Sequence, residues 1–345
     1  MKILITGASG FIGSYFCKRL GEENKVVALV KNKDAYSNID FYSMRNNIDI
    51  LEIDLASPTL LDMHQSILLS RYDFDVVIHF AAQTIVAKSQ EKPLETFHSN
   101  IMGTAHLLEY FKLIDYRQKS RKLKLFVHMS TDKVYGNREY AKENDSYQVS
   151  CPYSASKIAV EQICKTYVNT YNFPLLMVRP CNIFGEGDFN KRIIPNVIES
   201  ILRRNEATLF DGDDKMYRQY IYIEDLFNAV MFLIEKYCEK EREEWSAFNI
   251  APNNSVHSLE ANPSTLHGVS STEEIVRALI KISGKKVNVV TKPAKNILEI
   301  PSQSIDAKQL LEAGFKTKYD LFNGLKKTFL WYKENPDYFG KMRKR

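Results

Sequence analysis

The sequence has 345 residues, a formal net charge of +5 and 44% hydrophobic residues. That length gives room for one large or two modest packed domains, and that composition excludes an intrinsically disordered chain. The charge is mild, and much of it lies in the run Lys341-Met342-Arg343-Lys344-Arg345, which reads as a solvated end and not as a nucleic-acid surface.

The first predicted element is a short apolar strand, Lys2-Ile3-Leu4-Ile5, followed by Thr6-Gly7-Ala8-Ser9-Gly10-Phe11-Ile12-Gly13 and a helix to about Leu20. Gly7 permits a tight turn, Gly10 lets the backbone approach a pyrophosphate, and Gly13 lets the helix pack close to the sheet. The helix N-terminus would receive the phosphate charge, so Gly7, Gly10, Phe11, Ile12 and Gly13 are candidate cofactor-binding residues. A second strand runs from Lys25 to Val30. Many dinucleotide folds end this strand with an acid for the ribose 2′-hydroxyl. Here Lys31 follows instead, with Lys33 and Asp34 close behind. Lys31 could meet a 2′-phosphate and favour NADP, or it could be an exposed surface lysine; NAD and NADP both stay open.

Ile48 to Ile53 is the third predicted strand, followed by Asp54-Leu55. Asp54 could accept a hydrogen bond from an adenine amine, or cap the next helix near Pro58. The fourth strand, Asp75 to Phe80, leads into Ala81-Ala82-Gln83, small residues that let backbone pass close to a cofactor. His79 closes an apolar run and reads as a satisfied core histidine. Pro93 to Tyr116 reads as one long helix containing Asn100 and Gly103-Thr104.

The fifth strand, Leu125 to Met129, delivers Ser130-Thr131-Asp132-Lys133-Val134-Tyr135-Gly136 to its carboxyl end. A helix starting near Pro152 then carries Tyr153 and Lys157, which share a face at their four-residue spacing. A lysine ammonium there lowers the phenol pKa, so Tyr153 can take a proton from a hydroxyl. Alcohol oxidation needs only that pair. Asp132 and Lys133 add a second acid/base pair, which points to a second chemical step; the other reading of them is a salt bridge beside a turn. The sixth strand, Leu175 to Arg179, leads into Pro180-Cys181-Asn182-Ile183-Phe184-Gly185.

Strands alternating with helices predict an α/β fold with a doubly wound parallel sheet, whose ligands bind outside the carboxyl ends of the strands. The expected domains are a Rossmann domain over 1–184 and a smaller α/β substrate-binding lid over 185–345, with some elements returning to the core. In the second part, helices are predicted over Ile193–Arg204, Glu224–Lys240, Thr272–Ser283 and Tyr319–Asn335, short strands over Tyr217–Tyr222 and Phe248–Ile250, and a long loop over Asn253–Ser271. Arg192 and Arg218 are candidates for forked contacts to a sugar diphosphate. The five scattered cysteines have no metal-ligand spacing and fit a reducing cytoplasm. No signal-peptide pattern or membrane-length apolar run is expected.

The glycine loop, Ala81-Ala82-Gln83, Asn100, Ser130 to Gly136, Tyr153 with Lys157, Arg179-Pro180-Cys181-Asn182 and Arg218-Gln219-Tyr220 together resemble the extended short-chain dehydrogenase/reductase family. More narrowly, they are similar to its nucleotide-sugar epimerases and dehydratases. The resemblance implies a tightly held NAD or NADP, a nucleotide-diphosphate hexose as substrate, and a homodimer through the helices Pro93–Tyr116 and Tyr153–Tyr171. Epimerases of the family usually carry small or hydroxyl residues where this chain has Asp132-Lys133, whereas hexose 4,6-dehydratases carry Asp-Glu or Asp-Lys. The Asp-Lys form resembles the CDP-glucose type and the type that inverts C5 of UDP-N-acetylglucosamine. Phe80 to Val86 and Asn182 to Asp188 lean to the CDP-glucose type, while Arg218 to Tyr222 follows the general family pattern. The implied site therefore comprises Thr131, Asp132, Lys133, Tyr153 and Lys157 for catalysis. Cofactor contacts fall to the glycine loop, Lys31, Asp54, Leu55, Ala81, Ala82, Gln83 and Asn100, and substrate contacts to Thr84, Ser130, Asn182, Arg192 and Arg218. No metal is implied. The implied activity is redox-neutral dehydration of a nucleotide-linked hexose, with a 4-epimerase or a non-catalytic nucleotide-binding member of the fold as the alternatives.

Overall fold

A computed structural model describes residues 1–32, 37–44, 48–57, 69, 71–118, 123–190, 192–238, 245–252, 269–293 and 302–342. Lys33, the helix start near Pro58, most of the predicted loop after Pro252 and the last three residues lie outside these. The chain divides into two units, neither continuous: Met1–Val134, Tyr147–Arg179 and Val230–Ala247 form one, and Tyr135–Ser146, Pro180–Ala229 and Phe248–Arg345 the other. The first unit thus takes Val230–Ala247 from the later part of the chain, and the second takes Tyr135–Ser146 from the earlier part. No helix among the described residues is long and apolar enough to cross a membrane.

The first unit is built on β1 (Lys2–Thr6), β2 (Lys25–Val30), β3 (Asp49–Glu52), β4 (Val76–His79), β5 (Leu125–Met129) and β6 (Leu175–Pro180). The remaining strands of the chain follow as β7 (Asn182–Phe184), β8 (Glu206–Phe210), β9 (Tyr217–Tyr222), β10 (Ala247–Ile250), β11 (Val269–Ser271), β12 (Asn288–Lys292) and β13 (Ser302–Gln303). The large sheet has seven strands in the order β3-β2-β1-β4-β5-β6-β10. The pairs β1/β2, β1/β4, β2/β3, β4/β5 and β5/β6 are all parallel. β4, β5 and β6 are buried along their whole length, as parallel strands covered on both faces must be. Leu4, Val77, Phe126 and Met177 from the sheet pack with Leu108, Phe111 and Phe173 into one core. The order reverses direction between β1 and β4, and the crevice for a ligand lies at that switch point.

The predicted single helix over Pro93–Tyr116 is interrupted. It runs as Pro93–Phe97, a π-helical turn His98–Met102, then Gly103–Gln118. One extra residue per turn at the π segment re-aims Asn100 without breaking the apolar pattern, and such turns concentrate at functional sites. The helix Pro152–Tyr171 begins as its sequence dictates, with proline in the first turn and a reciprocal cap between Cys151 and Ser154, and it ends on left-handed Asn172 at φ 49°.

In the second unit β9 pairs with β11, β13 and β7, and β8 pairs in parallel with β12. Strand β11 and the strands β7, β8, β12 and β13 add to the predicted elements, whereas the helix Thr272–Ser283 has the predicted bounds, capped by Ser271 and Glu274. The phenol of Tyr332 donates to the Asp188 carbonyl at 2.7 Å and that of Tyr338 to the Gly187 carbonyl at 2.6 Å, so an aromatic cluster fixes the turn after β7.

Candidate active site

At the switch point, β1 ends in Thr6 and the chain turns at Gly7, whose φ is +67°. A β-carbon on Gly7 would lie 2.8 Å from the Ala81 nitrogen at the end of β4. Only glycine lets these two backbones pass so closely. The helix Phe11–Leu20 starts on Gly10, whose position has no side-chain cap, and no acid lies in the first turn. Its free N–H groups and unopposed dipole suit an anionic pyrophosphate. These features fit a dinucleotide. Phe11 is buried and packs in the core, and Ile12 is half-buried.

Polar groups behind this turn are interlocked. Ala81 N–H donates to Thr6 Oγ1 at 3.1 Å, Thr6 Oγ1 lies 2.7 Å from His79 Nδ1, and His79 Nε2 lies 2.9 Å from Thr104 Oγ1. Thr104 gives its own proton to the Asn100 carbonyl at 2.8 Å. His79 must therefore donate from Nε2 and accept at Nδ1, which makes it a neutral imidazole of one tautomer. Burial, with the nearby Lys157 charge, pulls its pKa down to about 3. The Asn100 side chain accepts from Gln83 N–H at 2.7 Å and donates to the Gln83 carbonyl at 3.0 Å and to Ser156 Oγ at 2.9 Å. Both donors of this amide are engaged inside the protein. Asn100 therefore shapes the Gln83 backbone, with both amide donors turned to the protein. Gln83 is likewise occupied, bonding Thr96 and both backbone groups of Ile85. Thr84 is exposed, Leu55 is buried, and Ala81 and Ala82 are half-buried.

On the adenosine side expected from the fold, Lys31 Nζ sits 2.9 Å from Asp54 Oδ2. The other Asp54 oxygen accepts from Ala56 N–H at 3.1 Å. Asp54 thus both closes a turn and neutralises Lys31, and its pKa is held low by these partners against a rise from burial.

The proton-transfer groups lie in the same unit. Tyr153 is buried on the first turn of its helix, where its N–H donates to Ser89 Oγ at 3.2 Å. One turn on, Lys157 donates to the Met129 carbonyl at 2.8 Å. Burial lowers the Lys157 pKa to about 8, with Glu161 and Cys164 acting in the opposite sense. After β5, Asp132 to Tyr135 form a single 3₁₀ turn. Thr131 Oγ1 donates to Asp132 Oδ1 at 3.0 Å and accepts from Lys133 N–H at 3.3 Å. Lys133 Nζ lies 3.7 Å from Asp132 Oδ2, with the two side chains 19% and 3% exposed. Such low exposure is not that of a surface salt bridge. Thr131, expected to bond a substrate oxygen, is turned to Asp132 here because its hydroxyl closes the turn.

Ser130, expected to touch substrate, donates instead to Glu161 in the core, because Glu161 sits one turn beyond Lys157 and carries a buried charge. Glu161 was not singled out from sequence, and its partner Arg179 entered only as the first residue of the Arg179-Pro180-Cys181-Asn182 motif. The only signal was an acid on a helix face otherwise lined with Val160, Cys164 and Val168. Asn182, Arg192 and Arg218 belong to the second unit. There Asn182 donates to the Gln219 carbonyl at 3.0 Å, Arg192 lies 3.9 Å from Asp188, and Arg218 donates to the Tyr217 carbonyl at 2.8 Å.

Comparison with known proteins places this geometry. The model of the NAD dependent epimerase/dehydratase family matches residues 3–251. A trifunctional UDP-glucose 4,6-dehydratase/UDP-4-keto-6-deoxy-D-glucose 3,5-epimerase/UDP-4-keto-L-rhamnose-reductase of Arabidopsis thaliana is 28% identical over 355 residues, covering 98% of this chain and 48% of the plant protein. The chain thus spans about half the length of that relative. The dTDP-D-glucose 4,6-dehydratase of Homo sapiens is 26% identical over 347 residues, covering 97% of this chain and 90% of the human one. Among solved structures, UDP-glucuronic acid 4-epimerase from Bacillus cereus in complex with UDP-glucuronic acid and NAD is 26% identical, with a TM-score of 0.79 over 97% of this chain and 100% of that one.

Proposed function

Because the chain belongs to the NAD dependent epimerase/dehydratase family, we propose that it is a nucleotide-sugar 4,6-dehydratase that uses NAD and converts a nucleotide-linked hexose, CDP-glucose favoured, to the 4-keto-6-deoxy sugar. The observation that carries this reading is the half-buried Asp132–Lys133 pair, 3.7 Å apart, on the turn that leaves β5. A 4-epimerase needs the Tyr153 and Lys157 groups but not this second acid and base. The names of the plant and human relatives support the same class, and the NAD-bound Bacillus cereus structure supports the cofactor. The preference for cytidine rests on the Asp132-Lys133 form of the motif and on Phe80 to Val86.

The glycine turn, Ala81 and the free helix N-terminus at Gly10 would hold the dinucleotide, which supplies the acceptor for the C4 hydride and later returns it to C6. Tyr153 takes the proton of the 4-hydroxyl as C4 becomes a ketone, and the Lys157 ammonium favours the phenolate. The ketone acidifies the C5–H bond. Of the Asp132–Lys133 pair, Lys133 would remove that proton and Asp132 would deliver one to the departing 6-hydroxyl, so that water leaves across C5–C6. Adjacent groups titrate as a pair, so the acid and base roles belong to Asp132/Lys133 together. Each such general acid or base contributes ~10²–10⁴ in rate. Arg192 and Arg218 would bind the diphosphate.

The same unit carries an open apolar depression lined by Leu94, Phe97, Ile101 and Met102. Leu94 is 79% exposed. A large apolar side chain so exposed beside others calls for a covering surface, which supports a homodimer through these helices. To test the function, the protein is incubated with CDP-, UDP-, GDP- and dTDP-hexoses and the products are weighed by mass spectrometry. Loss of one water from a single nucleotide hexose is expected. Inversion at C4 with no mass change would establish the 4-epimerase instead.

A further inference from the structure

Glu161 is fully buried and its partner Arg179 is 1% exposed. Arg179 donates to both Glu161 oxygens, from Nε at 3.1 and 3.0 Å and from a terminal nitrogen at 2.6 Å. Tyr147 donates to Glu161 Oε2 at 2.8 Å, and Ser130 donates to Oε1. Burying two charges costs several kcal/mol per ion, and a well-packed apolar cluster would hold these elements together at least as firmly. What the ion pair adds is direction. Its carboxylate fixes a hydroxyl at hydrogen-bond distance, and that hydroxyl belongs to the residue just before Thr131-Asp132-Lys133.

A second bond runs beside it. Lys157 donates to the Met129 carbonyl at 2.8 Å. Two consecutive residues at the end of β5 are thus tied to two residues one turn apart on the catalytic helix. Lys157 grips Met129, and Ser130 grips Glu161. Tyr153 lies one turn before Lys157 on the helix, and Asp132 two residues after Ser130.

We propose that Glu161 is a positioning residue whose clamp on Ser130, held by Arg179 and Tyr147, sets the Asp132–Lys133 turn relative to Tyr153 and Lys157, so that the ketone formed at one station is presented to the other. The proposal rests on the dehydratase reading for its second station. It also assigns Glu161 an electrostatic part: its carboxylate stands one turn from Lys157 and favours the ammonium. The other titratable groups around Lys157 are Tyr153 and Cys164 on the same helix, His79 on β4 and His128 on β5. The two imidazoles are neutral and leave Glu161 as the one anion among them.

The experiment follows the two steps separately. Single-turnover absorbance of the reduced nicotinamide reports C4 oxidation, and deuterium uptake at C5 with loss of water reports elimination. Ser130→Ala leaves the Glu161–Arg179 pair intact and removes only the clamp, so elimination is expected to fall at least tenfold relative to oxidation. Equal slowing of both steps, slowing of oxidation alone, or an unchanged ratio overturns the proposal. Glu161→Gln is expected to move the alkaline limb of C4 oxidation to lower pH by half a unit or more; an unmoved limb overturns the electrostatic part. If that variant does not fold, Ser130→Ala alone decides. A wild-type protein that oxidises C4 but never eliminates water sinks the dehydratase reading, whereas the shift of the oxidation limb still reads the role of Glu161.

Discussion

His79 donates from Nε2 to the hydroxyl of Thr104, 2.9 Å away, and through it reaches the Asn100 carbonyl. The imidazole thereby joins the β4 end to the π turn that carries Asn100. In the neutral ring Nδ1 accepts from Thr6 Oγ1; protonation would replace that bond with a second N–H facing an oxygen that already accepts from Ala81.

This sets an acid limit on stability. The ordinary value of 6.5 for His79 falls to about 3 in the folded chain, chiefly from burial. Between those values the unfolded chain holds a proton that the folded chain does not, so stability drops as pH falls through the window. His128, buried beside His79 with both ring nitrogens lacking a partner among the described residues, is shifted in the same direction by burial. Urea unfolding at pH 7 and pH 5 should differ by about 2 kcal/mol from His79 alone. His128→Leu should narrow the total difference while leaving the pH 7 midpoint in place or higher.

Several elements were legible because local pattern and tertiary demand agree. Lys25–Val30 and Leu125–Met129 are mostly β-branched or apolar runs, and they are interior strands with the predicted bounds. Ile193–Arg204 and Thr272–Ser283 carry apolar periodicity of a helix and end on left-handed Asn205 and Gly284. Strand β12 was missed because it is exposed at four of its five residues and has no apolar alternation to read. The π turn was missed because its extra residue shifts the helix face, and the Gly103 that follows it does not distinguish such a turn from a continuous helix. In the site, the residue types were readable but not their engagements. Asn100 and Ser130 look like ligand-facing polar groups in sequence, yet their partners lie at separations of 56 and 31 residues. No local pattern encodes those distances.

Lys157 gives the hydride step its alkaline limit. Burial brings its pKa to about 8, so above that pH the ammonium discharges and no longer supports the Tyr153 phenolate. C4 oxidation measured by cofactor reduction should decline above pH 8. Tyr153→Phe should lower it by ~10²–10⁴ at every pH, and full cofactor reduction by that variant would remove Tyr153 from the scheme.

The Lys31–Asp54 pair would set the choice between NAD and NADP. With its charge matched by a carboxylate at 2.9 Å, Lys31 offers a 2′-phosphate little net attraction. Asp54→Asn frees the ammonium, and a charge-assisted contact of about 1.5 kcal/mol should raise the NADP-to-NAD affinity ratio about tenfold. Titration of both dinucleotides by calorimetry reads this ratio. Thermal stability should hardly change, since the two side chains are 71% and 41% exposed and such pairs contribute little.

The exposed Leu94 is the cleanest probe of self-association. Its side chain contributes nothing to the core of its own unit at 79% exposure. Leu94→Glu should therefore leave the monomer folded while placing an unpaired charge in any interface that covers the depression, which costs several kcal/mol. Sedimentation should show a dimer for the parent chain and a monomer for the variant; an unchanged assembly would place the interface elsewhere.

Asp132 separates the dehydratase from every reading that stops at C4. Its carboxyl is held by Thr131 at 3.0 Å and faces Lys133 at 3.7 Å, within a turn that burial keeps from water. Asp132→Asn preserves the shape and the Thr131 bond, because the amide oxygen still accepts, but it has no acidic proton to give the leaving hydroxyl. C4 oxidation should survive within a few-fold, since Tyr153 and Lys157 are untouched. Water loss should fall by ~10²–10⁴, and the reduced cofactor should accumulate with a 4-keto hexose that keeps its 6-hydroxyl. Formation of the 4-keto-6-deoxy sugar at the parental rate would mean that the proton reaches the leaving oxygen from elsewhere, and Lys133 would then be the group to replace next.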